Sequence, residues 1–154
     1  MEKNSMKIEI KSLLENVAVV RVAISSFVSS LNVTIDELMD IKTAVSEAVT
    51  NSIEHGYVGK NSMEDSFVVV KADISKDELD NNVVVVKIED KGIGIDDIEL
   101  AMTPAYTSKP ELEHAGMGFT IMETFMDEII IDSKKDNGTT ILLTKKIKKK
   151  KSNS

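Results

Sequence analysis

The chain has no cysteine, no tryptophan, two prolines and only 4% aromatic residues. Without cysteine, disulfides and thiolate metal sites are excluded. Without tryptophan, and with so few rings, there is no stacking platform for single-stranded nucleic acid. Long hydrophobic runs are also missing. Apolar stretches such as Val83 to Val86 are far shorter than the roughly 20 residues that span a bilayer. The start, Met1-Glu-Lys-Asn-Ser, is polar and lacks the apolar core of a signal peptide, so a cytoplasmic location is expected. Positive charge is in deficit: the net charge is −7, which argues against non-specific nucleic-acid binding by the body of the protein. The exception is the tail, where Lys145, Lys146 and Lys148 to Lys151 cluster. Such a tail reads as a frayed, solvated end, or as a contact for phosphate or anionic lipid.

What is present suits one globular domain. A chain of 154 residues buries about 68–70% of the surface its unfolded form exposes, and 42% hydrophobic with 29% charged residues is ordinary for a soluble fold. One domain is expected over residues 1–147, followed by a flexible basic tail, 148–154.

The stretch from Asp36 to Gly56 organises the rest. Leu38, Ile41, Val45, Val49 and Ile53 recur at helical spacing, which predicts an amphipathic helix. Thr34 or Asp36 should cap it and Gly56 should end it. Glu47 and Asn51 are four apart, so they share a face, one above the other. A carboxamide offers Mg²⁺ a neutral oxygen, and a carboxylate can accept a proton. By themselves the two residues would more often decorate a solvated face.

Alternation of Met6, Ile8 and Ile10 with charged neighbours predicts a half-buried first strand. A helix follows, with Asn16 as candidate N-cap, running to about Leu31. Val17, Val20, Ile24, Phe27 and Leu31 form one stripe, while Val19, Val22 and Ala23 widen the apolar surface. Arg21 is the only charge between Asn16 and Leu31, and reads either as a snorkelling rim residue or as a partner contact.

Phe67 to Ile74 and Val83 to Glu89 read as antiparallel strands joined by a polar segment. Residues 95–115, with both prolines, read either as a functional lid or as a poorly ordered stretch, and Phe119 to Met126 as a helix. Glu128 to Ser133 and Thr139 to Ile147 are the last strands, joined by a turn at Asp136-Asn137-Gly138. The order is β-α-α-β-β-lid-α-β-β, an α+β sandwich with helices on one face of a mixed, mostly antiparallel sheet.

Two glycine motifs supplement the helix. Asp90-Lys-Gly92-Ile-Gly94 follows a strand: the carboxylate can accept a hydrogen bond from an exocyclic amine such as that of adenine, and the glycines allow close backbone approach. Gly116-Met-Gly118 opens a helix and can present free N–H groups and the positive end of the helix dipole to phosphate. No P-loop sequence occurs, and neither motif has the βαβ setting of a dinucleotide fold.

Taken in order, Glu-x-x-x-Asn on a helix, Asp-x-Gly-x-Gly after a strand, Gly-x-Gly at a helix start and Gly138-Thr139 before the last strand resemble the N, G1 and G2 boxes of the GHKL ATP-binding superfamily. Within it, Glu47 to Gly56, Thr107-Ser-Lys-Pro-Glu-Leu-Glu113 and Gly116 to Glu123 resemble the sporulation anti-sigma F factors. The resemblance implies a Bergerat-type two-layer fold, an ATP·Mg²⁺ site, a homodimer, inhibition of a sigma factor and phosphorylation of a serine on an anti-anti-sigma partner. It implies Glu47 as general base, Asn51 as Mg²⁺ ligand, and Asp90 with Thr139 at adenine. Gly92, Gly94, Gly116 and Gly118 would line the nucleotide, Ser108 and Lys109 would reach phosphate from the lid, and Arg21 matches a partner-contacting position. Where the family usually has a basic residue, commonly Arg, two before the G2 glycine, this chain has His114, which is only partly charged near neutral pH. The alternatives are another GHKL enzyme, a module that uses ATP only to order its lid, and an α+β protein with no nucleotide.

Overall fold

The computed structural model describes residues 2–55, 66–92, 118–133 and 137–149. Strand β1 (Glu2–Lys11) leads through a short 3-10 turn (Leu14–Asn16) into α1 (Val17–Val28). Val17, Val20, Ile24 and Val28 form its buried stripe. The helix stops a turn before Leu31 because serines take over its last carbonyls: Ser29 Oγ donates to Ser26 O (2.7 Å) and Ser30 Oγ to Phe27 O (3.1 Å). Leu31 is still buried, from beyond the helix. Asn16 stands at the helix boundary but does not cap it. The 3-10 turn has already placed it in αR (φ −81°, ψ −8°), whereas a capping side chain needs an extended backbone, and its Nδ2 donates instead to Lys11 O (3.0 Å).

Helix α2 (Ile35–His55) has 21 residues and is the spine of the helical layer. Thr34 caps it through a reciprocal pair: Glu37 N donates to Thr34 Oγ1 (3.0 Å) and Thr34 N to Glu37 Oε1 (2.9 Å). Asp36 and Glu37 in the first turn complement the helix dipole. Ile41, Ala44, Val45, Ala48 and Val49 are fully buried, so the apolar stripe is the one the spacing implied. Helices α1 and α3 (Gly118–Phe125) pack on either side of α2.

The sheet comprises β1, β2 (Phe67–Lys76), β3 (Asn82–Asp90), β4 (Glu128–Ser133) and β5 (Thr139–Ile147), in spatial order β1-β2-β3-β5-β4. Each of the four pairings is antiparallel. The expected mixed sheet is instead antiparallel at every described pairing, because β5 inserts between β3 and β4 and opposes both. The β2–β3 turn is held by Asp77, whose Oδ1 accepts from Leu79 N and Asn81 N (2.9 Å each). The Asn81 backbone N–H, foremost, holds that carboxyl at a pKa of about 2. Alternation is strict along β2 and β3: Val68, Val70, Ala72 and Ile74, with Val84, Val86 and Ile88, face the helices and are buried. The result is a two-layer sandwich with its core between α2 and the middle strands. Its consequence for function is the exit of β3: Asp90, the last residue of a strictly alternating strand, must point to the helix side.

Candidate nucleotide site

Register brings Asp90 and Thr139 together, as directly opposed residues at the β3 exit and the β5 entry. Asp90 is 6% exposed and Thr139 8%. Burial pushes the Asp90 carboxyl above the usual carboxylate range; Gly92 N–H, the Ser52 hydroxyl and the Thr139 backbone pull it back toward ionisation. The Gly92 N–H donates to Asp90 Oδ1 at 2.9 Å, so the chain folds over its own carboxylate as it leaves the strand. A buried, oriented carboxylate suits recognition of an amine, since a fixed acceptor loses little freedom on pairing.

Ser52 was not evident as a site residue. It follows Asn51 on α2, is 4% exposed, and aims its hydroxyl at Asp90. Only the sheet crossing under α2 reveals that role. Ser133 was missed for a similar reason. Its hydroxyl pairs with Thr139 Oγ1 (2.7 Å) and donates to Gly138 O (3.1 Å), fixing Thr139 from the neighbouring strand. Gly138 shapes the site through its backbone. It has φ +82°, and a Cβ there would lie 2.2 Å from Asp90 O and 2.8 Å from Lys91 Cα. The turn into β5 therefore rests directly on the Asp90 backbone.

Asn51 is half-buried, and its Nδ2 is buried with no hydrogen-bond partner among the described residues. An unsatisfied buried polar group costs about 1–3 kcal/mol, and it persists where a ligand completes it. Oxygen and nitrogen of an amide exchange places by a turn about χ2, so the same group can offer its oxygen to a cation. Glu47 lies one turn earlier on this face and is also half-buried. Glu54, three residues past Asn51, extends the stripe, and its Oε2 is buried without a partner among the described residues. Spacing alone could have found it, since 47, 51 and 54 stand at i, i+4 and i+7. This polar face, with an orphaned amide beside a carboxylate, fits a bound cation and phosphate chemistry.

Gly92 is buried at the site and Gly118 is the first residue of α3. Gly94, Ser108, Lys109, His114 and Gly116 lie outside the described residues. Arg21 is exposed on α1, away from the sheet, and its Nε donates to Ser46 Oγ of α2 (3.0 Å). Exposed Val19 and Val22 flank it.

Residues 10–145 match the family model of the histidine kinase-like ATPase domain. The chain is 55% identical to the anti-sigma F factor of Clostridium beijerinckii, covering 95% of this chain and 96% of that one. It is 52% identical to the anti-sigma F factor of Clostridium kluyveri, over 94% and 96%. Among solved structures, one holding the RsbU and RsbW domains of a Mycobacterium tuberculosis protein superposes with a TM-score of 0.64 at 21% identity. It covers 94% of this chain, which spans 33% of that longer one. The SiaB–SiaC complex of Pseudomonas aeruginosa superposes with a TM-score of 0.55 at 14% identity, over 90% and 88%. These two likenesses carry the fold, which is the α+β, helices-on-one-face sandwich described above. With a family match over residues 10–145 and near-full-length identity of about half to curated relatives, the chain belongs to the anti-sigma F factor family, built on a histidine kinase-like ATPase domain.

Proposed function

We propose that the chain is an anti-sigma factor that binds and inhibits a sporulation sigma factor and, using ATP·Mg²⁺, phosphorylates a serine of an anti-anti-sigma partner. The observation that carries the nucleotide half is the buried Asp90 carboxylate, oriented by Gly92 and by Ser52 of α2 beside Thr139. Family membership supports the partners.

In this reading Asp90 accepts the adenine amine and Thr139 completes that end. Asn51 would hold Mg²⁺, which when bound supplies charge neutralisation to the phosphates. Glu47 accepts the proton of the serine hydroxyl as its oxygen attacks the γ-phosphorus and ADP leaves. The start of α3 at Gly118 turns a positive helix end toward phosphate. Gly94, Gly116, Ser108 and Lys109 are assigned to the same nucleotide from the sequence, the last two to a lid that excludes water. Arg21, with Val19 and Val22, is assigned to partner contact, and the working unit is a homodimer. No helix among the described residues is long and apolar enough to cross a membrane. In this reading the protein acts in the cytoplasm, where its sigma-factor partner would be.

The test is incubation of the purified chain with labelled ATP, Mg²⁺ and the anti-anti-sigma protein. Label on a partner serine is the expected result. Tight ATP binding with no transfer would instead support a module that uses ATP only to order its lid.

A further inference from the structure

Helix α3 is short, eight residues, and its two ends are treated differently. Its N-terminus opens at Gly118. Its C-terminus is tied down by groups of the last strand, among them Lys145 of the basic cluster. Lys145, on the helix side of β5, is largely withdrawn from solvent, with its side chain 15% exposed. Its Nζ donates to Phe125 O, the last carbonyl of α3, at 2.7 Å, and to Asp40 Oδ2 of α2 at 3.3 Å. Two further bonds hold Asp127, two residues past the helix: Asp127 N donates to Thr144 O (2.9 Å), and Lys146 N donates to Asp127 Oδ2 (2.6 Å).

From this arrangement we infer that Lys145 is a positioning residue for the phosphate-binding end of α3, acting through the helix rather than on the nucleotide. The inference rests on the nucleotide reading above. The two bonds at Asp127, one through its backbone N–H and one through its carboxylate, act as a pivot, and Lys145 sets the angle. It does so because its ammonium bonds both the last carbonyl of α3 and Asp40 of α2, the helix that carries Glu47 and Asn51. Phe125 O is among the terminal carbonyls that have no partner inside a helix, so the ammonium fills an obligatory vacancy. A cation there also opposes the negative end of the helix dipole, while anionic phosphate would answer the positive end. An eight-residue helix is about 12 Å long, so a tilt of about 10° at the pivot displaces its start by about 2 Å. Hydrogen bonds from N–H to phosphate oxygen, about 2.9 Å long, do not survive such a shift.

The signature is dependence on phosphate. Lys145→Met should weaken ATP binding about five- to thirtyfold, the range expected for a cation at a partly buried helix C-terminus. AMP, which keeps adenine on Asp90 but has little to offer the start of α3, should bind within about twofold of the unaltered protein. Lys145→Arg should restore part of the ATP affinity. Asp40→Asn removes the ion pair from an accessible part of α2, leaves the core untouched, and should give a smaller loss of the same kind; it keeps the inference testable if Lys145→Met does not fold. The measurement is calorimetric titration of each folded variant with ATP and with AMP in Mg²⁺. A loss confined to ATP supports the role. Equal losses for both nucleotides, or no loss in either variant, overturn it, leaving Lys145 a structural tether. Failure of the unaltered chain to bind ATP overturns the nucleotide reading itself and this role with it.

Discussion

Replacing Gly138 by alanine tests whether the adenine end of the site is built by close backbone contact. The substitution meets two obstacles. At φ +82° an alanine is strained by about 1–2 kcal/mol. Its Cβ would also stand 2.2 Å from Asp90 O and 2.8 Å from Lys91 Cα, both main-chain atoms that no rotamer change can move aside. Relieving the first contact to an ordinary carbon–oxygen approach requires about 1 Å of backbone movement at the end of β3. Overpacking of this kind costs about 1–3 kcal/mol. The sum, about 2–5 kcal/mol, corresponds to a fall in Tm of roughly 4–20 °C for a domain of this size. The movement falls on Asp90, so the carboxylate loses its alignment with Gly92 N–H and Ser52. ATP affinity should fall about tenfold or more, by the usual cost of a lost charged hydrogen bond. Differential scanning calorimetry and an ATP titration on the same preparation read both effects. A variant with Tm within about 2 °C of the parent and unchanged ATP affinity would refute the reasoning.

Other expectations follow from the same geometry. Asp90→Asn presents a donor where the purine amine needs an acceptor; an unsatisfied buried donor costs about 1–3 kcal/mol, so ATP affinity should fall about five- to a hundredfold by titration calorimetry, with the fold intact by circular dichroism. ATP affinity should decline on acidification at a pH above the ordinary carboxylate range, because burial raises the Asp90 pKa. The sign for stability is opposite: the folded state holds that proton more tightly than the unfolded chain, so Asp90 adds stability as pH falls through its folded pKa. Ser52→Ala, which removes one group favouring the charged form, should move the acid limb of ATP binding to higher pH. Arg21→Glu should weaken sigma-factor binding in a pull-down and leave ATP binding unchanged; loss of both would make Arg21 structural, through its bond to Ser46.

The strands were legible because β2 and β3 alternate without a break, and the last two strands fall where the β-rich runs lie. Helix α2 was legible from its 3.6-residue period and from the Thr34–Glu37 pair. The end of α1 was not, since the stripe continues to Leu31 while Ser29 and Ser30 compete for the carbonyls that would extend the helix. Strand direction was only partly legible: nothing local reveals that β5 inserts between β3 and β4. In the site, Glu47, Asn51 and Asp90 stand out because their residue types carry chemistry at fixed spacing. Ser52, Ser133 and Gly138 matter through partners 38, 6 and 48 positions away in Asp90 and Thr139, so their roles depend on register and layer packing. Lys145 looked like the start of a solvated tail, yet it points to the helix side of β5 because the strand's alternation holds through that position.

The most direct test of the account is single-turnover phosphorylation of the anti-anti-sigma partner by Glu47→Gln at saturating ATP and Mg²⁺. The glutamine keeps the size of the side chain and removes the proton acceptor, as well as a negative charge near the phosphates. ATP and sigma factor should therefore bind as well as before or better, while transfer slows by about 10²–10⁴-fold, the usual contribution of a general base. Asn51→Ala should differ in kind, losing Mg²⁺ and much of the nucleotide affinity. Transfer by the glutamine variant at a rate near that of the parent would contradict the general-base role and return Glu47 to ordering the metal's surroundings or to plain helix surface.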